Sequence, residues 1–368
     1  MVVLKKISQF YCIGLFLYRQ KKYSVKNMGQ SESSPEDLSQ PKGSKESRSS
    51  ITKMITYGEK IDWSGYDDID EGFVFDINSE DGKRRLRDLK ASISKDVQEK
   101  YPELTDFICK ACLCFRNGHL PSAATRVQNY LQWRLNFIGS LEEQSLMDDP
   151  DLYNFLNSNT LNIIPHADTE GKRAVLLLRL RFLDPTKTAP IIMLRAFHYL
   201  VMRVLKEFPE VQTNGLIFIN DMDGASFGNM DTRIPKSIMA AISKNLPLRL
   251  HKALIVRPIW LLGLLFPIAK LFLSAKMQSR VQNIGGYPAA LENHGINMNK
   301  LPIELSGKDS EYDHNAKVRR WYQLEQDARV NREKSTKIDR SGQEEDVSQG
   351  IEGISLQNGS DGGDVDTN

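Results

Sequence analysis

The sequence has little cysteine and little net charge, and it has no uninterrupted hydrophobic run of membrane-spanning length. Four cysteines among 368 residues, three of them bunched, make no disulfide framework, so a reducing compartment is the default. A formal net charge of +2 gives no reason to expect nucleic acid as a partner. The balance hides an asymmetry: residues 331–368 hold four Lys/Arg against nine Asp/Glu, which makes them −5 and the rest +7. A mildly basic body suits an anionic surface. Catalytic signatures are also missing. There is no G-x-S-x-G, G-x-x-x-x-G-K-[ST], H-E-x-x-H or dinucleotide fingerprint, and the six histidines show no ligand spacing. The sequence reads as a non-enzyme with no catalytic residue, cofactor or metal ligand.

What is present begins with "ISQFYCIGLFLY" (Ile7–Tyr18), an apolar run of 12 residues between basic flanks. A transmembrane helix needs ~20, and no small-residue cleavage site follows. Downstream, "MGQSES" (Met28–Ser33) fits the N-myristoylation pattern, which would operate on Gly29 if translation starts at Met28. Residues 1–50 therefore read as an extension and a linker rich in Ser, Pro and charge, mostly disordered. The acidic residues 331–368 read as a disordered tail.

Between them, residues 81–140 read as a small all-helical domain. "LRDLKASISKDVQEKYP" stops at Pro102, "ELTDFICKACLCFRNGH" at Gly118, and "LPSAATRVQNYLQWRLNFI" opens with Pro121 at a helix start. Residues 150–310 read as α/β. Strands are expected at Arg173–Phe182, Gly215–Asp221 and Lys252–Arg257, with helices at Pro190–Pro209 and Ile234–Pro247. Alternation of this kind gives a mostly parallel sheet.

Two clusters invite chemistry. Cys109, Cys112 and Cys114 have only His119 as a local fourth ligand, and inside a helix they read as buried thiols. "IFINDMDGAS" ends a buried strand in D-x-D-G and resembles the nucleophile strand of haloacid-dehalogenase-like phosphatases. In that alternative Asp221 attacks phosphorus, Asp223 is the acid/base and Mg²⁺ bridges them. Ala225 follows Gly224 and no downstream acidic pair completes the set, so a polar strand-to-turn exit is the competing reading.

"KALIVRPIWLLGLLFPIAKLFLSAKMQSRV" is apolar on nearly all sides, yet Arg257, Pro258, Pro267 and Lys270 argue against a spanning helix. It parses as a strand, then a helix from Pro258 that kinks or restarts at Pro267. Such a helix is buried or walls an apolar cavity.

From about Leu104 to Gly307 the chain resembles the CRAL-TRIO lipid-binding family, in its tocopherol-transfer and retinaldehyde-binding branch. "CFRNGHLPSAATRVQNYLQWR" is similar to the family's Phe-Leu-Arg-Ala-Arg segment and closing Trp-Arg. "DGASF" is similar to its Asp-Leu-Glu-Gly turn, "LPLRLHKALIVRPIW" to its Pro-Leu-Arg/Lys and Asn-x-Pro segments, "FPIAKLFLSAKMQSRV" to the end of its gate helix, and "LPIELSG" to its Leu-Pro-x-Glu-Tyr-Gly-Gly closure. The resemblance implies a CRAL-TRIO lipid-binding fold: a mostly parallel sheet with helices and a gate helix, preceded by a small helical domain.

It also implies a function. One hydrophobic lipid (tocopherol, retinoid or phospholipid-like) is held in the cage and transferred between membranes by a cytoplasmic, transiently membrane-associated protein. Cavity and gate residues carried over are Ile255, Ile259, Trp260, Leu262, Leu264, Leu265, Phe266 and Ile268. A phosphoinositide-binding cleft beside the gate maps to Arg116, Arg249, His251, Lys276 and Arg280. His251 stands where that branch has Arg, and Thr125 stands where another Arg is expected, with Arg126 adjacent. A scaffold that senses lipid without moving it is the other reading that includes the cage.

Overall fold

A computed structural model describes residues 75–229, 233, 237–238, 241–258, 275–285 and 288–352. The N-terminal apolar run, Gly29, the linker and residues 259–274 of the expected gate lie outside the described residues.

Helix α1 (Glu80–Ala91) starts where the Ser79 hydroxyl accepts from Gly82 N–H at 3.0 Å. Helices α2 (Lys95–Lys100), α3 (Pro102–Phe115) and α4 (Leu120–Phe137) follow. Pro102 and Pro121 sit in the first turns of α3 and α4, where a missing N–H leaves no bond unmade. α3 stops because Asn117 and Gly118 turn left-handed (φ 51° and 82°), and Gly118 N–H reaches back to Leu113 O at 2.8 Å. The buried faces of α3 (Ile108, Cys112, Leu113) and α4 (Leu120, Val127, Tyr130, Leu131) belong to one core cluster.

Helix α5 (Pro150–Asn157) leads into a five-stranded sheet in sequential order: β1 (Leu161–Ile164), β2 (Ala174–Arg179), β3 (Leu216–Asp221), β4 (Leu250–Val256) and β5 (Val281–Gly285). β1 is antiparallel to β2, and the other three pairings are parallel. The β2–β3 crossover holds α6 (Pro190–Glu207) and α7 (Pro209–Asn214); α8 (Ala275–Arg280), α9 (Pro288–Asn293) and α10 (His314–Glu352) complete the described elements. The fold is α/β with a mostly parallel sheet and a helical N-terminal part, as the sequence suggests.

Side chains alternate across the sheet. Ala174, Leu176, Leu178, Leu216 and Leu250 join the core shared with α3, α4 and α6. Val175, Leu177, Ile217, Ile219, Leu254 and Val256 point to the opposite face, closed by Leu291, Ile296, Leu301 and Leu305.

Several boundaries differ from expectation. The strand at Arg173–Phe182 is only Ala174–Arg179, and Leu180–Phe182 is a 3₁₀ turn. The helix Pro190–Pro209 ends at Glu207, because proline pushes the residue before it out of the helical region and Phe208 sits at φ −131°, ψ 83°. Of the helix expected over Ile234–Pro247, the described part includes a π-helical turn, Ala241–Asn245. Strands β1 and β5 were not anticipated. β1 is four fully buried residues with no polar alternation, and β5 follows a helix of only six residues.

The tail expected to be disordered from Asn331 continues α10 to Glu352. Its Arg, Lys, Glu and Gln residues are good helix formers and no proline interrupts them, which a composition argument overlooks. The first half of α10 is tied down. Val318 and Trp321 are buried, and Tyr322 packs on Tyr153 of α5 at 4.9 Å between ring centroids. Glu325 accepts from Tyr199 Oη (2.8 Å), Leu146 N (2.7 Å) and Ser145 Oγ (3.0 Å), and Arg329 reaches Asp148 at 2.7 Å.

Candidate functional site

Strand register lines up two rows of side chains on the face that joins the main core. One row is Leu176, Phe218, Ala253 and Val281; the other is Leu178, Asn220, Ile255 and Asn283. Leu176 and Leu178 are buried, whereas the members on β3, β4 and β5 are only half-buried. Burial therefore falls away across the sheet and leaves a mostly apolar floor that carries Ile255 and also Asn220 and Asn283, with the buried Asn220 Oδ1 lacking a hydrogen-bond partner. The remaining cavity and gate residues, Ile259, Trp260, Leu262, Leu264, Leu265, Phe266 and Ile268, lie outside the described residues.

The basic residues come together where the end of α3, the start of β4 and α8 meet. Arg249 Nη2 donates to Phe115 O at 3.1 Å and to Asn117 Oδ1 at 3.3 Å, capping α3, whose C-terminal carbonyls favour a cation. Gly215 makes this approach practicable. Its φ is +81°, and a Cβ there would lie 2.1 Å from Arg249 O. Arg116 follows α3, with its guanidinium carbon 4.8 Å from the Phe115 ring centroid; Arg126 of α4 lies at the same distance from the same ring. Arg280 ends α8 and Lys276 lies within it.

Like charges press on one another here. Burial lowers the Arg249 pKa, and Arg280 and Arg116 lower it further. Burial and then Arg116 bring Arg126 down to about 10. Burial depresses His251, followed by Arg173, Lys252 and Arg280, so its ring is neutral at pH 7. Among the described residues Arg116, Arg249 and Arg280 form no ion pair with a carboxylate, and the buried Nε of Arg116 has no hydrogen-bond partner. Arg126 was passed over in the sequence because it is one position from the expected arginine. Only its stacking on Phe115 brings it into the cluster.

Asp221 and Asp223 sit in a different setting. Asp221, at 1% exposure, accepts from Arg257 Nε (3.1 Å) and Nη2 (2.8 Å) and from Asp223 N–H (3.1 Å), with Arg181 Nη1 3.6 Å away. Asp223 lies 3.4 Å from Arg257 and 3.5 Å from Arg181. Both oxygens of the would-be nucleophile are thus held by donors. Gly224 takes the turn at φ +66°. This is a strand exit locked by arginines.

The three thiols are free and buried, and burial pushes Cys109 up to about 12, Cys114 to about 11 and Cys112 well above its ordinary value. They pack as small hydrophobes, and His119 caps α4 by accepting from Ser122 N–H. A separate cavity of about 350 Å³ lies against Tyr101, Phe107, Tyr130, His198, Met202 and Arg332, away from the sheet floor.

Residues 157–307 match the model of the CRAL/TRIO domain, a family of lipid-binding and lipid-transfer domains. This stretch is a CRAL/TRIO domain. It contains all five strands, the apolar floor and most of the basic cluster, while Arg116 and Arg126 come from the helices before it. "Alpha-tocopherol transfer protein-like" of Mus musculus is 27% identical over 236 residues, covering 62% of this chain and 67% of that one. "Tyrosine-protein phosphatase non-receptor type 9" of Mus musculus is 36% identical over 126 residues, 34% of this chain. The match spans 21% of that phosphatase, so its name says nothing of activity here. The solved structure described as "Crystal structure of Sfh5" aligns with a TM-score of 0.43 at 15% identity, over 66% of this chain and 92% of that one, too low to support any argument. Among the described residues no helix is long and apolar enough to cross a membrane.

Proposed function

We propose that this chain is a non-enzymatic carrier. It holds one hydrophobic lipid of the tocopherol, retinoid or phospholipid type over the CRAL/TRIO sheet and moves it between membranes. Phe218, Ala253 and Ile255 form the floor of the cage. Ile259, Trp260, Leu262, Leu264, Leu265, Phe266 and Ile268 supply its gate. Sequestering an apolar molecule there yields ~25 cal/mol for each Å² removed from water. The phosphorylated headgroup of a membrane phosphoinositide docks at Arg116, Arg249, His251, Lys276 and Arg280. The protein works from the cytoplasm and touches membranes transiently, with acylation at Gly29 if translation starts at Met28.

One observation carries the reading: three arginines gathered beside the sheet with no carboxylate paired to them among the described residues. An uncompensated cationic cluster opposes folding through self-repulsion, and an arriving phosphate relieves it with bidentate, charge-assisted bonds. The phosphatase alternative has little support, because Arg257 and Asp223 N–H occupy Asp221. The sensing scaffold differs from the carrier only in failing to move lipid.

The test is binding of the full chain to phosphatidylcholine vesicles that carry either phosphatidylinositol bisphosphate or phosphatidylserine, with soluble inositol phosphate as a third arm. Arg249→Ala with Lys276→Ala is expected to weaken the bisphosphate vesicles far more than the serine vesicles. Equal loss on both would reduce the cluster to general membrane attraction. Loss on soluble inositol phosphate alone would identify a free anion as the partner. Transfer of a fluorescent lipid between two vesicle populations separates carrier from scaffold.

A further inference from the structure

The same basic cluster has a candidate ligand within this chain. From Gln343 to Asn368 the sequence holds seven acidic residues, Glu344, Glu345, Asp346, Glu352, Asp361, Asp364 and Asp366, and no Lys or Arg. The chain's charge is thus divided between an acidic C-terminal segment and a body with an excess of cations, three of which, gathered at one place, have no acidic partner among the described residues.

Geometry permits the two to meet. α10 crosses α5 at Tyr322, passes Asp148 at Arg329, and at Arg332 lines the cavity beside Lys100–Leu104. From that corner α3 runs 14 residues to Phe115 and the cluster, a distance of about 20 Å at 1.5 Å per residue. Thirty-six residues follow Arg332. Those to Glu352 span about 30 Å as helix, and the remainder about 50 Å extended. Two glycines, Gly342 and Gly350, and sparse apolar residues make the far part of α10 a weak helix, so bending or unwinding it costs little.

We infer that the acidic segment 343–368 binds the Arg116–Arg249–Arg280 cluster of its own chain and competes with anionic headgroups for it. The inference rests on the anion-site reading and adds its regulation. A tethered segment acts at an effective concentration on the order of 1 mM, so self-binding near 0.1 mM weakens the apparent headgroup affinity about tenfold. The device keeps the carrier off weakly anionic membranes and lets a multiply phosphorylated headgroup displace the segment.

The test uses the full chain and vesicles of phosphatidylcholine with phosphatidylinositol bisphosphate, at low and high salt. The variant is Glu344→Gln, Glu345→Gln, Asp346→Asn, Glu352→Gln, Asp361→Asn, Asp364→Asn and Asp366→Asn together, which leaves the folded body untouched. It is expected to bind about tenfold more tightly at low salt, with a smaller gain at high salt. Adding Arg249→Ala and Arg280→Ala is expected to abolish the gain. If the neutralised chain binds as the parent does, while Arg249→Ala and Arg280→Ala weaken the parent, the anion site stands and the self-inhibition is wrong. A gain that survives loss of the arginines also overturns it, since the segment then acts only as bulk negative charge. If the arginine substitutions leave the parent unchanged, the anion-site reading fails and the inference with it.

Discussion

Replacing Asp221 by asparagine separates a structural carboxylate from a catalytic one. Asp221 is 1% exposed and faces Arg257 at 2.8 Å and Arg181 at 3.6 Å. The amide keeps the shape, removes the charge and leaves two guanidinium groups facing a neutral side chain. Breaking a buried ion pair by removing one partner costs ~3–5 kcal/mol. Arg257 and Arg181 each keep about a quarter of their side chain exposed, so solvent screening sets the cost near the low end, at ~3 kcal/mol. For a protein of this size that corresponds to a Tm fall of roughly 4–6 °C. Asp223 contacts the same arginines but is 52% exposed, so Asp223→Asn is expected to change stability by less than ~1 kcal/mol. Urea unfolding of both variants, followed by fluorescence, gives the two numbers. Equal and small effects, with the m-value unchanged, would refute the structural assignment. Mg²⁺-dependent release of phosphate from an aryl phosphate by the parent, lost on Asp221→Asn, would restore the phosphatase.

Two further outcomes follow from the geometry. His251 is neutral at pH 7 because burial, Arg173, Lys252 and Arg280 all depress it, against a smaller opposing effect of Asp168. An anion at the cluster raises that pKa, so the complex takes up a proton and affinity grows as pH falls below the ordinary histidine value of ~6.5. His251→Gln should flatten this slope in vesicle binding, and His251→Arg should strengthen binding at pH 7.5; identical pH profiles for parent and His251→Gln would place the ring outside the site. Glu325→Ala removes the acceptor shared by Tyr199, Leu146 and Ser145. It should cost ~2–3 kcal/mol in denaturant unfolding, as expected when a buried N–H and a hydroxyl lose their partner; a change below ~0.5 kcal/mol would mean that α10 is held by its other contacts, Val318, Trp321, Tyr322 and Arg329, without Glu325.

Local features of this chain were legible because the chain itself encodes them. Prolines in the first turns of α3 and α4, the Asn117-Gly118 stop and the Asp-x-Asp-Gly exit of β3 are short-range signals acting over a few residues. The apolar run Ala174–Leu178 of β2 and the shared order of its neighbours pointed to a parallel sheet, and the family's motifs matched in sequence. β1 and β5 were not legible, since a four-residue buried strand and a five-residue strand directly after a helix carry no periodicity of their own. They exist because neighbouring strands offer unpaired backbone groups that must find partners.

The sequence by itself determined the α/β class, the helical lead-in, the split of charge between body and tail, and the residue types at the basic positions. Tertiary structure alone decided how those residues are used. It set Arg249 against the end of α3, more than a hundred residues away in the chain, stacked Arg126 and Arg116 on one ring, and tied Asp221 to Arg257. The physical reason is range. Propensity and capping act through covalent neighbours, whereas a charge is paired or unpaired according to what the fold brings within a few ångströms, where Coulomb energy and desolvation decide its fate.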